Sequence, residues 1–172
     1  MSASHELADL SPLGAVETVD TVINRLGQEI GFPVPDWKPA TRPALKLMSG
    51  RFCRLEPLDP ARHAGDLFAA FALDPAGKNW TYLPYGPFDS LASFSRWIDG
   101  VRSASDPLFF AIVSQETGQA VGVASYLRIS PEQGSIEVGH LNFAPAMQGT
   151  ALATEAMWLM MKEAFALGFR RY

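Results

Sequence analysis

Cysteine is nearly absent from this chain, which has a single one, Cys53, among 172 residues. One cysteine cannot form a disulfide within the chain, so the sequence is typical of a protein from a reducing compartment, and we expect a cytoplasmic location. Cys53 lies in a strand-like run. We interpret it as a small buried apolar residue rather than as a nucleophile.

Long runs of one kind of residue are also missing. No apolar stretch is long enough to span a bilayer, and the first residues lack a basic segment followed by an apolar core, so we expect neither a membrane anchor nor a signal peptide. Lysine and arginine do not cluster and the formal net charge is -4, so we expect no nucleic-acid partner. We expect no metal site.

The composition that is present indicates a globular protein with an N-terminal extension. Hydrophobic residues make up 48% and charged residues 19%, which is enough apolar surface for one folded domain. Met1–Leu13 has a mixed, irregular composition, and apolar residues at helical spacing predict a short helix over Ala15–Ile30. Pro33–Pro43 contains four prolines and predicts an extended linker. We therefore divide the chain into an extension, 1–46, and a domain, 47–172.

The domain is predicted to run strand, helix, helix, three antiparallel strands, helix. Asp59 and Pro60 are typical of an N-cap followed by the first helical residue, and Ser90 is a second N-cap candidate. Glu116–Gln119 and Pro131–Gly134 are turn sequences that would join neighbouring strands into a meander. The predicted strands are Arg51–Leu58, Leu108–Ser114, Ala120–Ile129 and Ser135–Ala144. The predicted helices start at Asp59, Ser90 and Ala153. The second of these helices is expected to end near Ser103 and the third near Leu167.

The segment Gln148–Ala153 is the strongest candidate for a ligand site. It is a loop of small residues between a predicted strand and a long apolar helix. Such a loop presents backbone N–H groups and a helix N-terminus to a phosphate, and small side chains let the anion approach the main chain. An ordinary strand–helix turn is the simpler alternative. The strand-like run before the loop and the long helix after it favour the phosphate site.

This order of elements, together with the loop, resembles the GCN5-related N-acetyltransferase (GNAT) superfamily, and most of all its ribosomal-protein-N-acetyltransferase-like branch. The family's loop reads Gln/Arg-x-x-Gly-x-Gly/Ala after a proline, and Gln148 and Ala153 occupy its first and last positions. Ala153-Thr154-Glu155-Ala156 and the loop Trp80–Phe88 also resemble that branch. The resemblance covers about Arg51–Tyr172. It implies an α/β (α+β) fold with a mostly antiparallel central sheet flanked by helices.

The resemblance also implies a reaction and a co-substrate. The family transfers an acetyl group from acetyl-CoA to a primary amine, which attacks the thioester directly in a ternary complex. Backbone groups of the strand before the loop bind the pantetheine arm as an added strand. The residues implied in acetyl-CoA binding are Leu141, Phe143, Gln148, Gly149, Thr150, Ala151, Ala153 and Thr154.

The sequence departs from the family at two places. Ala151 stands where the family has its middle glycine. If that position needs a positive φ, alanine costs about 1 kcal/mol and would weaken pyrophosphate binding. In addition, Phe169–Tyr172 resembles the first residues of another strand. The family's fifth strand, fourth helix and closing hairpin would follow, so we expect that the C-terminal part of the fold is missing.

Two ionisable residues of the strand before the loop are candidate bases. Glu137 could accept the amine's proton through water if burial raised its pKa, although an exposed glutamate is an equally simple interpretation. Strand alternation places His140 on the opposite face, where a hydrogen-bonded structural histidine is the simpler interpretation. We name Glu137 as the catalytic candidate.

The aromatic loop before the second helix is the candidate acceptor site. Trp80, Tyr82 and Tyr85 could line it, or could cover the core beneath the loop. Apolar residues cover most of the last helix, and core packing is the role expected for Trp158, Met160, Met161 and Phe165.

Three functional hypotheses follow from the sequence. The first is an acetyl-CoA-dependent N-acetyltransferase acting on a small amine or a protein N-terminus. The second is a non-catalytic acyl-CoA-binding or protein-interaction module, which Ala151 and the missing elements would favour. The third is an inactive piece whose open sheet edge promotes association. The first 46 residues could be a mobile arm or the clasp of a homodimer, and both interpretations stay open.

Overall fold

The computed structural model describes residues 21–172, and the chain divides into two compact units, Met1–Trp37 and Lys38–Tyr172. The predicted irregular segment Met1–Leu13 and the first residues of the predicted helix lie outside the described residues. None of the helices within residues 21–172 is long and apolar enough to cross a membrane.

In the first unit, a β-hairpin replaces the described part of the helix predicted over Ala15–Ile30. Strand β1, Thr21–Ile23, pairs antiparallel with β2, Glu29–Gly31. The Asn24 side chain closes the turn by accepting hydrogen bonds from the N–H groups of Leu26 and Gln28. Side-chain bonding of this kind stabilises a turn, and β-branched residues favour the strands beside it. Over residues 21–30 the helix prediction was wrong, because it rested on apolar spacing and overlooked this turn signal.

The second unit contains a five-stranded antiparallel sheet. Its strands lie in sequence order, β3-β4-β5-β6-β7, so the last strand, β7, forms one edge. The meander predicted from the turn sequences is confirmed. The strands are β3 Met48–Ser49, β4 Cys53–Pro57, β5 Leu108–Ser114, β6 Ala120–Ser130 and β7 Ser135–Phe143.

Three α-helices flank the sheet: α1 Pro60–Phe71, α2 Leu91–Val101 and α3 Ala151–Ala166. Single-turn 3₁₀ segments occupy Lys78–Trp80, Pro131–Gln133 and Pro145–Met147. The predicted N-caps are confirmed: the Asp59 side chain accepts from the first turn of α1, and Ser90 forms a capping box with Ser93. Helix α3 begins two residues earlier than predicted because Thr150 is its N-cap.

Each face of the sheet has its own core. The first core cluster lies between the sheet and α3 and includes Phe110, Tyr126 and Met160. The second core cluster lies between the sheet and helices α1 and α2, and includes Phe71, Phe94 and Phe109. Alternate residues of β5 serve the two clusters, as a strand covered on both faces requires.

Two segments differ from the sequence predictions. The end of the proline-rich segment is fixed to the sheet domain, because Ala40 is buried and its N–H donates to the carbonyl of Pro131. On α3, Met160 is buried as expected, whereas Trp158 and Phe165 are 48% and 50% exposed and Met161 is 38% exposed. These three residues therefore form an exposed apolar stripe rather than core. Beyond α3, Arg171 forms an isolated parallel bridge with Ser135, the first residue of β7.

Candidate functional site

The loop between β7 and α3 presents backbone donors at a helix N-terminus. Gly149 has a φ of 69°, a left-handed conformation that glycine adopts freely. Thr150 caps α3 and accepts a hydrogen bond from the N–H of Ala153. Among residues 21–172, none accepts a hydrogen bond from the N–H groups of Gly149, Ala151 or Leu152. The loop therefore offers these donors, in the field of the α3 dipole, to an anion.

Ala151 is compatible with this loop. It is the first residue of α3, and in the described part of the chain only Arg128 and His140 combine a side chain with a positive φ. The expected cost of a left-handed alanine is therefore absent. Ala153 packs against the first core cluster, and the Thr154 hydroxyl donates to the carbonyl of Thr150.

Gln148 connects the loop to two other segments. Its Nε2 donates to the carbonyl of Phe143 at 2.8 Å and to Oδ1 of Asn79 at 3.1 Å. Asn79 Nδ2 donates to the same Phe143 carbonyl at 3.0 Å, and the Asn79 N–H donates to Asp74 at 2.8 Å. We call this group, Asn79, Phe143 and Gln148, the amide clamp. It joins the aromatic loop, the end of β7 and the phosphate-binding candidate.

The amide clamp bears on the pantetheine prediction. Leu141 and Phe143 lie on the edge strand β7, and Leu141 is 40% exposed. The Phe143 carbonyl, however, already accepts two hydrogen bonds, which uses both of its lone pairs. The carbonyl of Leu141, the other residue predicted to bind pantetheine, takes no part in the amide clamp.

A bulge interrupts β7 next to these residues. Two residues, His140 and Leu141, face Ala124 alone, because the register between β6 and β7 shifts at this point. His140 adopts a φ of 51°, which is rare for a residue with a side chain. A bulge re-aims the side chains that follow it, and bulges are common beside active sites.

The bulge overturns the prediction that Glu137 and His140 lie on opposite faces. Glu137 pairs with Leu127, which shares a face of β6 with Val123, a member of the second core cluster. His140 stacks on Tyr85, which packs against the same cluster. The extra residue shifts the alternation, so both ionisable groups lie on the face covered by α1 and α2.

Glu137, the catalytic candidate, is engaged in an exposed ion pair. Both of its carboxylate oxygens accept from Nη1 of Arg128, at 3.1 and 3.0 Å. Its side chain is 51% exposed. The half-buried cleft expected around this carboxylate is therefore not present.

The three aromatic candidates of the loop lie in different environments. Trp80 is buried and makes an edge contact with Phe71, so it belongs to the second core cluster. Tyr82 is 97% exposed. Tyr85 lies between them in burial, stacks on His140 with ring centroids 5.6 Å apart, and places its hydroxyl 3.1 Å from Nδ1 of that histidine. Only Tyr85 meets a polar group of β7.

Glu155, in the second turn of α3, organises the far side of the loop. Its carboxylate accepts hydrogen bonds from the N–H groups of Arg51, Phe52 and Cys53 at 2.7, 2.6 and 2.8 Å. Burial and the nearby Glu155 raise the pKa of the Cys53 thiol to about 12, which keeps it protonated and unreactive. A cavity of about 610 Å³ lies beside this contact, between Thr150–Leu152, Phe52 and the turn 115–119.

Sequence reasoning missed the roles of Asn79 and Glu155. Glu155 belongs to the Ala-Thr-Glu-Ala segment that resembles the family, but the three N–H groups that it binds, those of residues 51–53, are distant in sequence. Nothing in the sequence marks Asn79. In residues 21–172, no three histidine, cysteine or acidic side chains are grouped so that they could hold a metal ion.

The comparisons with known proteins decide the family. Residues 53–171 match the family described as Acetyltransferase (GNAT) domain. The chain belongs to this family. A GCN5-related N-acetyltransferase from Brucella melitensis is 36% identical, with a TM-score of 0.76 over 80% of this chain and 62% of its own. An acetyltransferase of the GNAT family from Chromobacterium violaceum is 34% identical, with a TM-score of 0.72 over 93% of this chain and 73% of its own.

A more distant solved structure shows the fold alone. RimL, a ribosomal L7/L12 alpha-N-protein acetyltransferase, is 15% identical, with a TM-score of 0.59 over 77% of this chain and 71% of its own. A protein of Oryza sativa subsp. japonica named as aldehyde oxidase-like is 30% identical over 56% of this chain, which is 8% of that protein. This GNAT chain thus spans 62% of the Brucella structure and a small part of the rice protein.

Proposed function

We propose that this GNAT chain transfers the acetyl group of acetyl-CoA to a primary amine. The observation that carries the proposal is the row of unpartnered N–H groups at the start of α3, beside the edge strand β7. Their donors and the helix dipole suit the pyrophosphate of CoA. Leu141 lies where the pantetheine arm would pair with the strand edge, as an extended ligand pairs with any open edge.

The reaction needs no covalent intermediate on the protein. The amine nitrogen forms a bond to the thioester carbon, and the bond from that carbon to sulfur breaks with its electron pair leaving as the CoA thiolate. The amine loses one proton and the thiolate gains one, so atoms and charge balance. The protein's part is to hold both partners in line and to accept the proton.

The acceptor would approach from the face covered by α1 and α2, near Tyr85. A small amine and a protein N-terminus both fit this proposal. The single buried cysteine suits a reducing compartment, so we propose a cytoplasmic location. Glu137 stays a candidate base, although its pairing with Arg128 must break before it can take a proton from an amine.

Thermal unfolding with and without acetyl-CoA tests the binding half of this proposal. A ligand at a hundred times its Kd adds about 2.7 kcal/mol, which raises the midpoint by several degrees. Ala151→Pro removes one free N–H at the first helical position, where proline is well tolerated, and the extended Thr150 before it is compatible with proline. We expect this variant to fold normally and to lose most of the shift.

Leu91→Pro is the matched control, because Leu91 is the first residue of α2 and follows an extended Ser90. It should keep the full shift. No shift in the unmodified chain would contradict the proposal. The probe amines are an alanine peptide, spermidine and tyramine. A shift with acetyl-CoA, but no release of CoA thiol when any of these amines is added, would instead support a non-catalytic acyl-CoA-binding module.

A further inference from the structure

The bulge in β7 gives His140 an unusual backbone. Its φ of 51° lies in the left-handed region, and the other such residue with a side chain in the described chain, Arg128, lies on the neighbouring strand β6. A left-handed residue with a side chain costs about 1 kcal/mol and persists only where its surroundings enforce it. An enforced conformation of this kind points to a role for the side chain that it directs.

The imidazole of His140 packs against aromatic rings on the face of the sheet covered by α1 and α2, from which we propose that the acceptor approaches. Tyr85 stacks on it at an interplanar angle of 14°, and the Phe109 ring centroid lies 5.2 Å away. The Tyr85 hydroxyl lies 3.1 Å from Nδ1. When Nδ1 carries the proton and donates to the tyrosine oxygen, Nε2 has a free lone pair. The tyrosine thus fixes the orientation of the ring, and Nε2 is the basic nitrogen in the tautomer that carries its proton on Nδ1.

A second unpaired polar group lies on the same face. Asn142 is 3% exposed, and neither atom of its amide has a hydrogen-bond partner. The gap beside it, which Tyr85 and Trp97 also line, is too small to hold a water molecule. Buried polar groups are normally paired, so an amide without a partner is a candidate contact for a substrate that displaces Tyr85.

We propose that His140 is the base that accepts the proton of the acceptor amine, and that Tyr85 is its positioning residue. The inference rests on the proposed acetyl transfer and assigns a role within it. As the amine nitrogen bonds to the thioester carbon, its proton passes to Nε2 and the imidazole becomes an imidazolium. That proton then leaves to solvent as the departing thiolate takes one up, which restores the neutral ring.

The surroundings of His140 keep its imidazole neutral. Burial lowers the pKa of His140 below its ordinary value of 6.5. Burial also raises the pKa of Tyr85, so its hydroxyl stays protonated. Strand β5 and helix α2 present Phe109 and Trp97 at this place, neither of which is charged. The charges on the two strands themselves, Arg128 and Glu137, neutralise each other in an ion pair.

The test compares His140→Asn with the unmodified chain, using CoA thiol release with the probe amines named above. Asparagine tolerates the left-handed backbone, so the variant should fold, but its amide is not a base. We expect turnover to fall about a hundredfold with acetyl-CoA binding unchanged. The unmodified chain should lose activity as pH falls through the His140 pKa, below 6.5, and this acid limb should be absent from the profile of His140→Asn.

Chemical rescue separates a base from a structural residue. In His140→Gly, added imidazole should restore part of the turnover and also its acid limb. Tyr85→Phe should lower kcat more than it changes KM for the amine, while Tyr172→Phe, a matched change where the ring packs on Phe165, should leave both constants unchanged.

The outcomes separate the two proposals. Turnover in the unmodified chain with an unaltered rate and pH profile in His140→Asn would overturn the assignment of the base and leave acetyl transfer intact. An acid limb that is lost in Glu137→Gln and kept in His140→Asn would overturn this assignment as well. Acetyl-CoA binding without turnover of any probe amine would overturn the proposed function, and the base assignment with it.

Discussion

The carboxylate of Glu155 fills the space that a side chain at position 50 would occupy. A Cβ added to Gly50 would overlap the carboxyl carbon of Glu155, because the two atoms would be closer than real contacts allow. The same carboxylate binds the N–H groups of residues 51–53. The turn before β4 and the first turns of α3 are therefore fixed to each other, directly behind the loop proposed to bind phosphate.

Gly50→Ala should destabilise the protein by displacing this carboxylate. Moving this carboxylate breaks its charge-assisted hydrogen bonds, so we expect a loss of about 2 kcal/mol in the free energy of unfolding. Denaturant titration measures the change. Gly100→Ala is the control: Gly100 lies inside α2 with nothing within 4 Å, so alanine there should stabilise by about 0.5–1 kcal/mol. Equal effects of the two changes would contradict the carboxylate's role.

The stability of the protein should fall in acid because of Glu155. Burial alone would raise the pKa of this carboxyl, but hydrogen bonds from Arg51, Cys53 and Phe52 outweigh it and lower the pKa below 4.5. A lowered pKa in the folded state adds stability above pH 4.5, and this contribution is lost as pH falls through the folded-state pKa.

Unfolding midpoints from pH 7 down to pH 3 measure this contribution. Glu155→Gln should be less stable at neutral pH and should lose less stability in acid than the unmodified chain. Glu116→Gln, at an exposed position in the turn between β5 and β6, should leave the slope unchanged. Parallel curves for the unmodified chain and Glu155→Gln would rule out this carboxylate as the source.

The amide clamp should couple the aromatic loop to acetyl-CoA binding. Asn79→Ala removes a donor to Phe143 and the acceptor for Gln148, so we expect weaker acetyl-CoA binding by about 1 kcal/mol, or roughly fivefold. Titration calorimetry with Asn79→Ala, Gln148→Ala and the double variant gives the coupling. Additive losses would mean that the two side chains act independently.

Ala151→Gly should not improve the loop, although it restores the residue usual in the family. Ala151 is helical, so glycine relieves no strain and adds backbone entropy to the unfolded state. We expect a loss of about 0.5–1 kcal/mol in stability and an acetyl-CoA affinity within a factor of about two. A gain of tenfold or more in affinity would show that the alanine methyl group obstructs the pyrophosphate.

Local patterns predicted most of the sheet domain. The caps Asp59 and Ser90 gave the starts of two helices, and turn sequences gave the strands β5 to β7 within a residue of their ends. These signals lie within a few residues of the element that they define. The hairpin at Thr21–Gly31 was missed because valine and isoleucine occur at helical spacing there, while a single asparagine side chain decides the turn.

The candidate site was harder to predict because it depends on register. A one-residue bulge moved His140 to the face of Glu137, and no sequence pattern announces where a strand gains a residue. The hydrogen bond from Asn79 to the carbonyl of Phe143 joins residues 64 positions apart. The hydrogen bonds to the Glu155 carboxylate join residues about 100 positions apart. Spacing within a motif carries no information about such partners.

The aromatic rings packed around Trp97 also provide an optical reporter. Its ring lies 4.5 Å from that of Tyr85 and 5.5 Å from that of Phe109, in fixed and unequal orientations. Aromatic chromophores held this close and chirally arranged give strong near-ultraviolet circular dichroism. An acceptor that displaces Tyr85 should therefore change the spectrum of the unlabelled protein, which allows amines to be screened by titration before any turnover is measured.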